Sequence, residues 1–259
     1  AISYIQHHEV VLTTDKSPQA LRKILDGMSL LVHVLQLAAP YLPESKCEEF
    51  AQSFKEFCKD NLWVDEFYQL ERICSRQSPY RNDIEKNGYL SRLLVEHRLP
   101  EAKMNEAIAQ FSSEQFNRLF LSFIHWVNRK SWRNEMPLDR LGKLNYPMFD
   151  ISSLWLEDAW QRLKQATNLF TGPTDLQSFE SMYRPLSKEL LTGICVGSLY
   201  PEQDWQAFRT RLLDLLMGFE ELLLLNSLQQ LVSEQEVEAT ENLEWIQGKQ
   251  QSLNVALSA

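Results

Sequence analysis

Glycine is scarce in this chain. Eight of 259 residues are glycine, about 3 % against a usual value of roughly 7 %, so few positions can take positive φ without strain. That argues against a hairpin-rich β protein and against glycine-rich phosphate loops. No GxGxxG, GxxxxGK[ST] or GxSxG occurs, which leaves nucleotide-loop and acyl-transfer chemistry without residues. Cysteine is equally thin. Cys47, Cys58, Cys74 and Cys195 form no CxxC pair, so a disulfide framework is not expected and a reduced, cytoplasmic compartment is. ExxH, HExxH and HxH are absent as well, and a di-iron helical bundle or a zinc hydrolase needs such pairs. No catalytic residue, metal or cofactor is therefore expected.

What is present is apolar and acidic. Hydrophobic residues make up 44 % of the chain and 28 residues are aromatic, too many to stay solvated in a disordered state. The net charge is −9, of which residues 1–140 carry −1 and residues 141–259 carry −8. Such a balance lacks the phosphate attraction that supplies non-specific nucleic-acid affinity, so no nucleic-acid partner is expected. The densest apolar stretch, Leu212 to Val232, contains Asp214, Glu220 and Glu221. Each acid at a bilayer centre costs roughly 2.5–3.5 kcal/mol, which makes this a core helix and not a membrane span. No signal peptide opens the chain, and Ala1 stands without a preceding Met, which fits a fragment of a longer protein.

Apolar spacing is helical almost throughout. Ser17-Pro18 offers an N-cap and a first-turn proline, and Leu21, Ile24, Met28, Leu31, Leu35 and Ala38 follow at three and four residues. Ser45 with Glu48, Ser112 with Gln115 and Ser233 with Glu236 read as capping boxes. The second opens a long helix to about Arg133 with Phe116, Leu119, Phe120, Phe123, Ile124 and Val127 on its buried face. A shorter helix is expected over Tyr89–Leu99, after the Asn87-Gly88 turn. Later helices are expected near 151–169, 175–197 and 201–232, and a last one from about 234 to the end. The fold class is all-α, with nine to eleven helices and no sheet. Prolines 137 and 147 bracket a connector, so the expectation is two packed antiparallel bundles of four or five helices, residues 1–140 and 146–259.

One constellation of side chains suggests a ligand. Arg118, Ser122, His125, Arg129 and Arg133 follow one another at four, three, four and four residues, within about 80° of arc and opposite the Phe face. Lys130, Arg140 and Lys143 lie beside or just beyond them. Guanidiniums on one stripe suit a phosphate chain, since Arg presents a planar fork of donors. The alternative is a solvated face whose bases complement the helix C-terminus. His7 and His8 point about 100° apart on a helix and read as exposed histidines. His33, among Val32, Val34 and Leu35, reads as a core histidine, and His97 beside Arg98 as a helix-end cap. Trp126 and Trp132 read as packing residues. Glu234, Glu236, Glu238, Glu241 and Glu244 read as a solvated acidic face or a docking strip.

Three segments carry a resemblance to a known family: "AISYIQHHEV" leading into "LRKILDGMSLLVHVLQLAAPYLP", then "FLSFIHWVNRKSWRNE", then "MYRPLSKELLTGICVGSLYPEQDWQAF". In this order they resemble the CHAD domain, in the divergent form that follows a CYTH triphosphatase domain. The resemblance implies two four-helix bundles related by a pseudo-twofold axis, with a groove of His, Arg and Lys associated with inorganic polyphosphate. The family's first helix reads His-x-x-Arg-x-x-x-Arg-Arg-x-Arg; here Arg22, Leu25, Ser29, Leu30 and Val32 stand at about those positions, and four of the five basic groups are gone. Only Arg22, Lys23 and the 118–133 stripe remain to meet a polyanion. The implied function is a non-catalytic CHAD-like accessory module with weak or vestigial polyphosphate binding. The CYTH signature ExExK is absent from this chain, so triphosphatase activity would lie in a neighbouring CYTH domain. The alternative is an all-helical interaction scaffold or homodimer with no phosphate ligand.

Overall fold

A computed structural model describes residues 1–75, 78, 80–86, 88, 100–136, 141–169, 176–233 and 239–258. Among these there are twelve α-helices, two short 3-10 turns and no strand. The expected count is exceeded because Trp132–Glu135 forms a separate helix, too brief to show apolar periodicity, and because Arg81–Lys86 is already helical ahead of the expected Asn87-Gly88 turn. The helix expected over 89–99, the caps at His97 and Arg98, and Arg140 lie outside the described residues, as do Glu234, Glu236 and Glu238.

By contacts the chain divides into two compact units, Ala1–Tyr68 with Leu99–Ser153, and Gln69–Arg98 with Leu154–Ala259. This differs from a single break between residues 140 and 146. The reason lies in tertiary partners of the early segment: Tyr80 packs with Leu224, Leu225 and Leu228, its hydroxyl donates to Glu221, and Asp83 accepts from Trp245 Nε1.

The first unit is built on α1 (Ile2–Asp15), α2 (Pro18–Ala38), α3 (Glu44–Lys59), the start of α4 (Trp63–Cys74), α6 (Glu101–Phe111), α7 (Glu114–Arg129) and α8 (Trp132–Glu135), where α5 is Arg81–Lys86. Ser17 caps α2 as expected, its Oγ accepting from Ala20 N at 3.3 Å, and Leu21, Ile24, Met28, Leu31 and Leu35 are buried. Gly27 lets α1 approach closely, since a Cβ there would fall 2.6 Å from Ile5 Cγ1. Helices α3 and α7 meet through antiparallel ranks of rings. Phe50 lies 5.3 Å from Phe123, Phe54 5.4 Å from Phe123, and Phe57 5.2 Å from Phe116, all edge to face. Such aromatic pairs contribute about 0.5–1.5 kcal/mol each beyond the area they bury. The turn between α3 and α4 is held by Asn61, buried, whose Nδ2 donates to Phe57 O and Gln110 Oε1.

Several expected termini move. Helix α3 begins at Glu44 behind Pro43, with no side-chain cap, so Ser45 is inside the helix and the Ser45/Glu48 box does not form. Proline already holds φ at the entry. Ser113, not Ser112, caps α7, accepting from Phe116 N at 3.1 Å. The helix then stops at Arg129, because Lys130 takes the left-handed conformation at φ 52° and ψ 30° and its N–H turns back to Val127 O. Val127 is 38 % exposed and does not join the core.

The second unit is built on the end of α4, α5, α9 (Met148–Leu169) from Leu154, α10 (Leu176–Val196), α11 (Glu202–Ser233) and α12 (Ala239–Ser258). Helix α11, about 48 Å long, carries apolar residues around its circumference, the mark of a core helix. Leu212, Leu216, Phe219 and Leu222 pack with Leu186, whereas Leu224, Leu225, Leu228 and Val232 pack with Ile246. Ser233 lies within α11, where its Oγ donates to Gln229 O one turn back, and Glu236, its partner in the expected capping box, lies outside the described residues. No described helix is long and apolar enough to cross a membrane.

Candidate functional site

Helix α7 turns its Phe face onto α3 and so presents Arg118, Ser122, His125 and Arg129 outward; all four are exposed. The stripe is shorter than its spacing suggests. Arg118, 77 % exposed, pairs with Glu114 one turn back at 2.6 Å, which offsets its charge. Beyond the left-handed Lys130 the chain changes direction, and Arg133 sits in α8 with its guanidinium 5.4 Å from the ring centroid of Trp132. Among the described residues, His125, Arg129 and Lys130 have no carboxylate partner, and they are clustered at the C-terminal end of α7. Trp126 packs as expected: it is buried, 5.4 Å from Phe50.

Arg22 and Lys23 are drawn elsewhere. Arg22 Nε donates to Asp65 Oδ1 at 3.2 Å, and its guanidinium lies 4.2 Å from the Tyr68 ring centroid, both on α4. Lys23 is half-buried beside His8 of α1, and its charge reinforces burial in lowering the His8 pKa, with His7 adding a third, smaller push. His8 is buried, contrary to the expectation of two exposed histidines, because it shares the inward face of α1 with Ile5 and Leu12. Its ring lies 4.5 Å from that of Tyr4, edge to face. His33 is buried in the same core, as expected. Among the described residues no three His, Cys, Asp or Glu side chains converge as a metal site would require.

The second unit holds a cavity that sequence reasoning missed. It measures about 290 Å³ and lies among α9, α10 and α11, walled by Trp160, Tyr200, Trp205 and Phe208, with Glu189 in its wall and Asp204 at the start of α11. Trp205 rests on a glycine floor: a Cβ would fall 2.6 Å from its ring at Gly193 and 2.5 Å at Gly197. Glu189 is 1 % exposed and fully served, accepting from Arg162 Nε at 2.7 Å, Arg162 Nη2 at 3.1 Å and Thr192 Oγ1 at 2.9 Å. The bidentate bond from Arg162 keeps that guanidinium protonated, its pKa raised by the Glu189 carboxylate. The sequence signal was the pair of glycines one helical turn apart in Gly193-Ile-Cys-Val-Gly197, followed by Trp205.

No family model matches the chain, and no curated protein does. A solved structure does. The chain is similar to the crystal structure of the CHAD domain from the plant Ricinus communis, with a TM-score of 0.59 at 14 % identity, over 98 % of this chain and 83 % of that one. The fold is that of a CHAD domain.

Proposed function

We propose that this chain is a non-catalytic, CHAD-like cytoplasmic module, accessory to a CYTH-type triphosphatase domain, that holds inorganic polyphosphate weakly at the end of α7. A pseudo-twofold pairing of its bundles belongs to the same reading. The observation that carries it is the cluster of exposed His125, Arg129 and Lys130, without carboxylate partners among the described residues, with Arg133 close behind in sequence. A chain of phosphates offers many weak contacts to such a cluster, and the positive side chains supply the attraction that the acidic second half does not. The fold shared with the plant CHAD domain supports the family reading. Titration of the chain with long-chain polyphosphate tests it. Saturable binding at low salt, falling steeply as salt rises, is expected, with Arg129→Ala/Lys130→Ala weakening it about ten-fold. Arg118→Ala has a smaller effect, because Glu114 already offsets that charge. Affinity unchanged in the double variant contradicts the assignment.

A second reading, an interaction or dimerisation scaffold without a phosphate ligand, draws on the exposed Ile194, Leu199, Leu215 and Met217 of the second unit. Sedimentation that shows a strict monomer at high concentration counts against its homodimer form.

A further inference from the structure

The cavity of the second unit has the chemistry of a cation site. Beside the aliphatic Leu156, Ala159, Leu163 and Val196, its lining holds four aromatic rings, whose π faces carry negative potential. Among the described residues its acidic lining groups are Glu189 and Asp204, and neither Lys nor Arg lines it. Arg162 neutralises Glu189 directly, so Glu189 contributes a fixed, hydrogen-bonded wall rather than a free charge. Asp204 has no ion-pair partner among the described residues and stands in the first turn of α11. A cavity of about 290 Å³ is near the lower end of small-ligand sites, which suits a compact group and not a helix or a polymer. Phosphate is the wrong ligand here, since both the ring faces and the free carboxylate repel it. A neutral apolar ligand gains nothing from the exposed Asp204 carboxylate.

The cavity is also open to a ligand. Trp160 is 62 % exposed although it belongs to the wall, so a bound group would cover apolar surface that water now touches. Trp205 lies on Gly193 and Gly197 with no room for a Cβ between, and its ring lies near-parallel to that of Phe208 at 5.9 Å. The floor is thereby set before any ligand arrives.

We propose that this cavity binds a small organic cation, a quaternary or tertiary ammonium carried on a compact apolar body, with Trp160, Trp205, Phe208 and Tyr200 around the cation and Asp204 opposite its charge. The site is separate from the α7 cluster and does not depend on polyphosphate binding there.

Calorimetric titration of the full chain with phenyltrimethylammonium tests the site, with tert-butylbenzene as the neutral probe of the same shape. Saturable binding of the cation is expected, about ten-fold or more tighter than that of the neutral probe. Trp160→Ala, at an exposed position that the fold does not need, weakens the cation about ten-fold with the helical circular dichroism unchanged. Asp204→Asn weakens it several-fold and leaves the neutral probe unaffected. Absence of cation binding, equal binding of the two probes, or an affinity indifferent to both substitutions overturns the proposal.

Discussion

The two units of the chain solve the problem of a helical core differently. The first buries one continuous apolar cluster in which Phe50, Phe54, Phe57, Phe116, Phe120 and Phe123 interlock, and its charged pair Arg22–Asp65 stays half in water. Among the described residues, the second has two smaller apolar clusters along α11 and places polar groups between helices: Arg162 with Glu189, Arg72 with Glu220, and Tyr80 with Glu221. The rings fill the interior of the first unit, whose pocket of about 430 Å³ lies between α2 and α3 and is lined by Leu35, Cys47 and Ala51 with the polar Gln36, Glu48 and Lys55; the exposed basic cluster at the end of α7 is apart from that lining. In the second unit fixed polar bonds and a glycine floor frame a smaller cavity with four aromatic rings in its lining.

The largest effect expected from breaking this contrast is in the first core. Phe54 is fully buried between the rings of Phe120 and Phe123, and Phe54→Ala is expected to cost about 3–5 kcal/mol in denaturant unfolding. The ion pairs sharpen the comparison. Arg162→Ala strands a buried carboxylate and is expected to cost about 2–3 kcal/mol, below the figure for a fully buried pair because the Arg162 side chain is 39 % exposed. Arg22→Ala in the first unit is expected to cost no more than about 1 kcal/mol.

Alkali acts on both units. Burial raises the thiols of Cys47 and Cys195 to about 11 and that of Cys58 to about 12, from 9.0 in the unfolded chain. Between those values the folded chain holds protons that the unfolded chain has lost, so stability falls as pH rises. Thermal unfolding followed against pH is expected to show a flat midpoint up to about pH 8.5 and a loss of about 1 kcal/mol per thiol by pH 10. Cys58→Ser is expected to flatten part of that slope. A comparably small effect is at a cap. Ser113→Ala is expected to cost about 1 kcal/mol and Ser112→Ala close to nothing, a difference that chemical denaturation resolves and that separates the observed cap from its neighbour.

The helices that local chemistry defines were readable. Ser17 and Pro18 announce α2, and its buried positions recur at helical spacing because one face meets one core. The end of α7 was not readable, since Lys130 is neither glycine nor proline and its left-handed turn costs roughly 1–2 kcal/mol. The packing of Trp132 against the first core accompanies that turn, and such tertiary compensation leaves no local signature. His8 was misread as exposed, although its spacing from Ile5 and Leu12 placed it on the same stripe. The cavity eluded sequence reading for a related reason. Glu189 meets Arg162 from 27 residues away, and Trp205 meets Gly193 of α10 and Gly197 of the 3-10 turn that follows it. Neither relation is periodic.

The central claim is that polyphosphate meets this chain at the end of α7 and nowhere on the second unit. Backbone amide chemical shifts, recorded for the full chain with and without long-chain polyphosphate at low salt, test it most directly. The account predicts shifts confined to the neighbourhood of His125, Arg129, Lys130 and Arg133, which vanish in Arg129→Ala/Lys130→Ala. Shifts concentrated on α9 to α11, or none at a concentration that saturates binding, would contradict it.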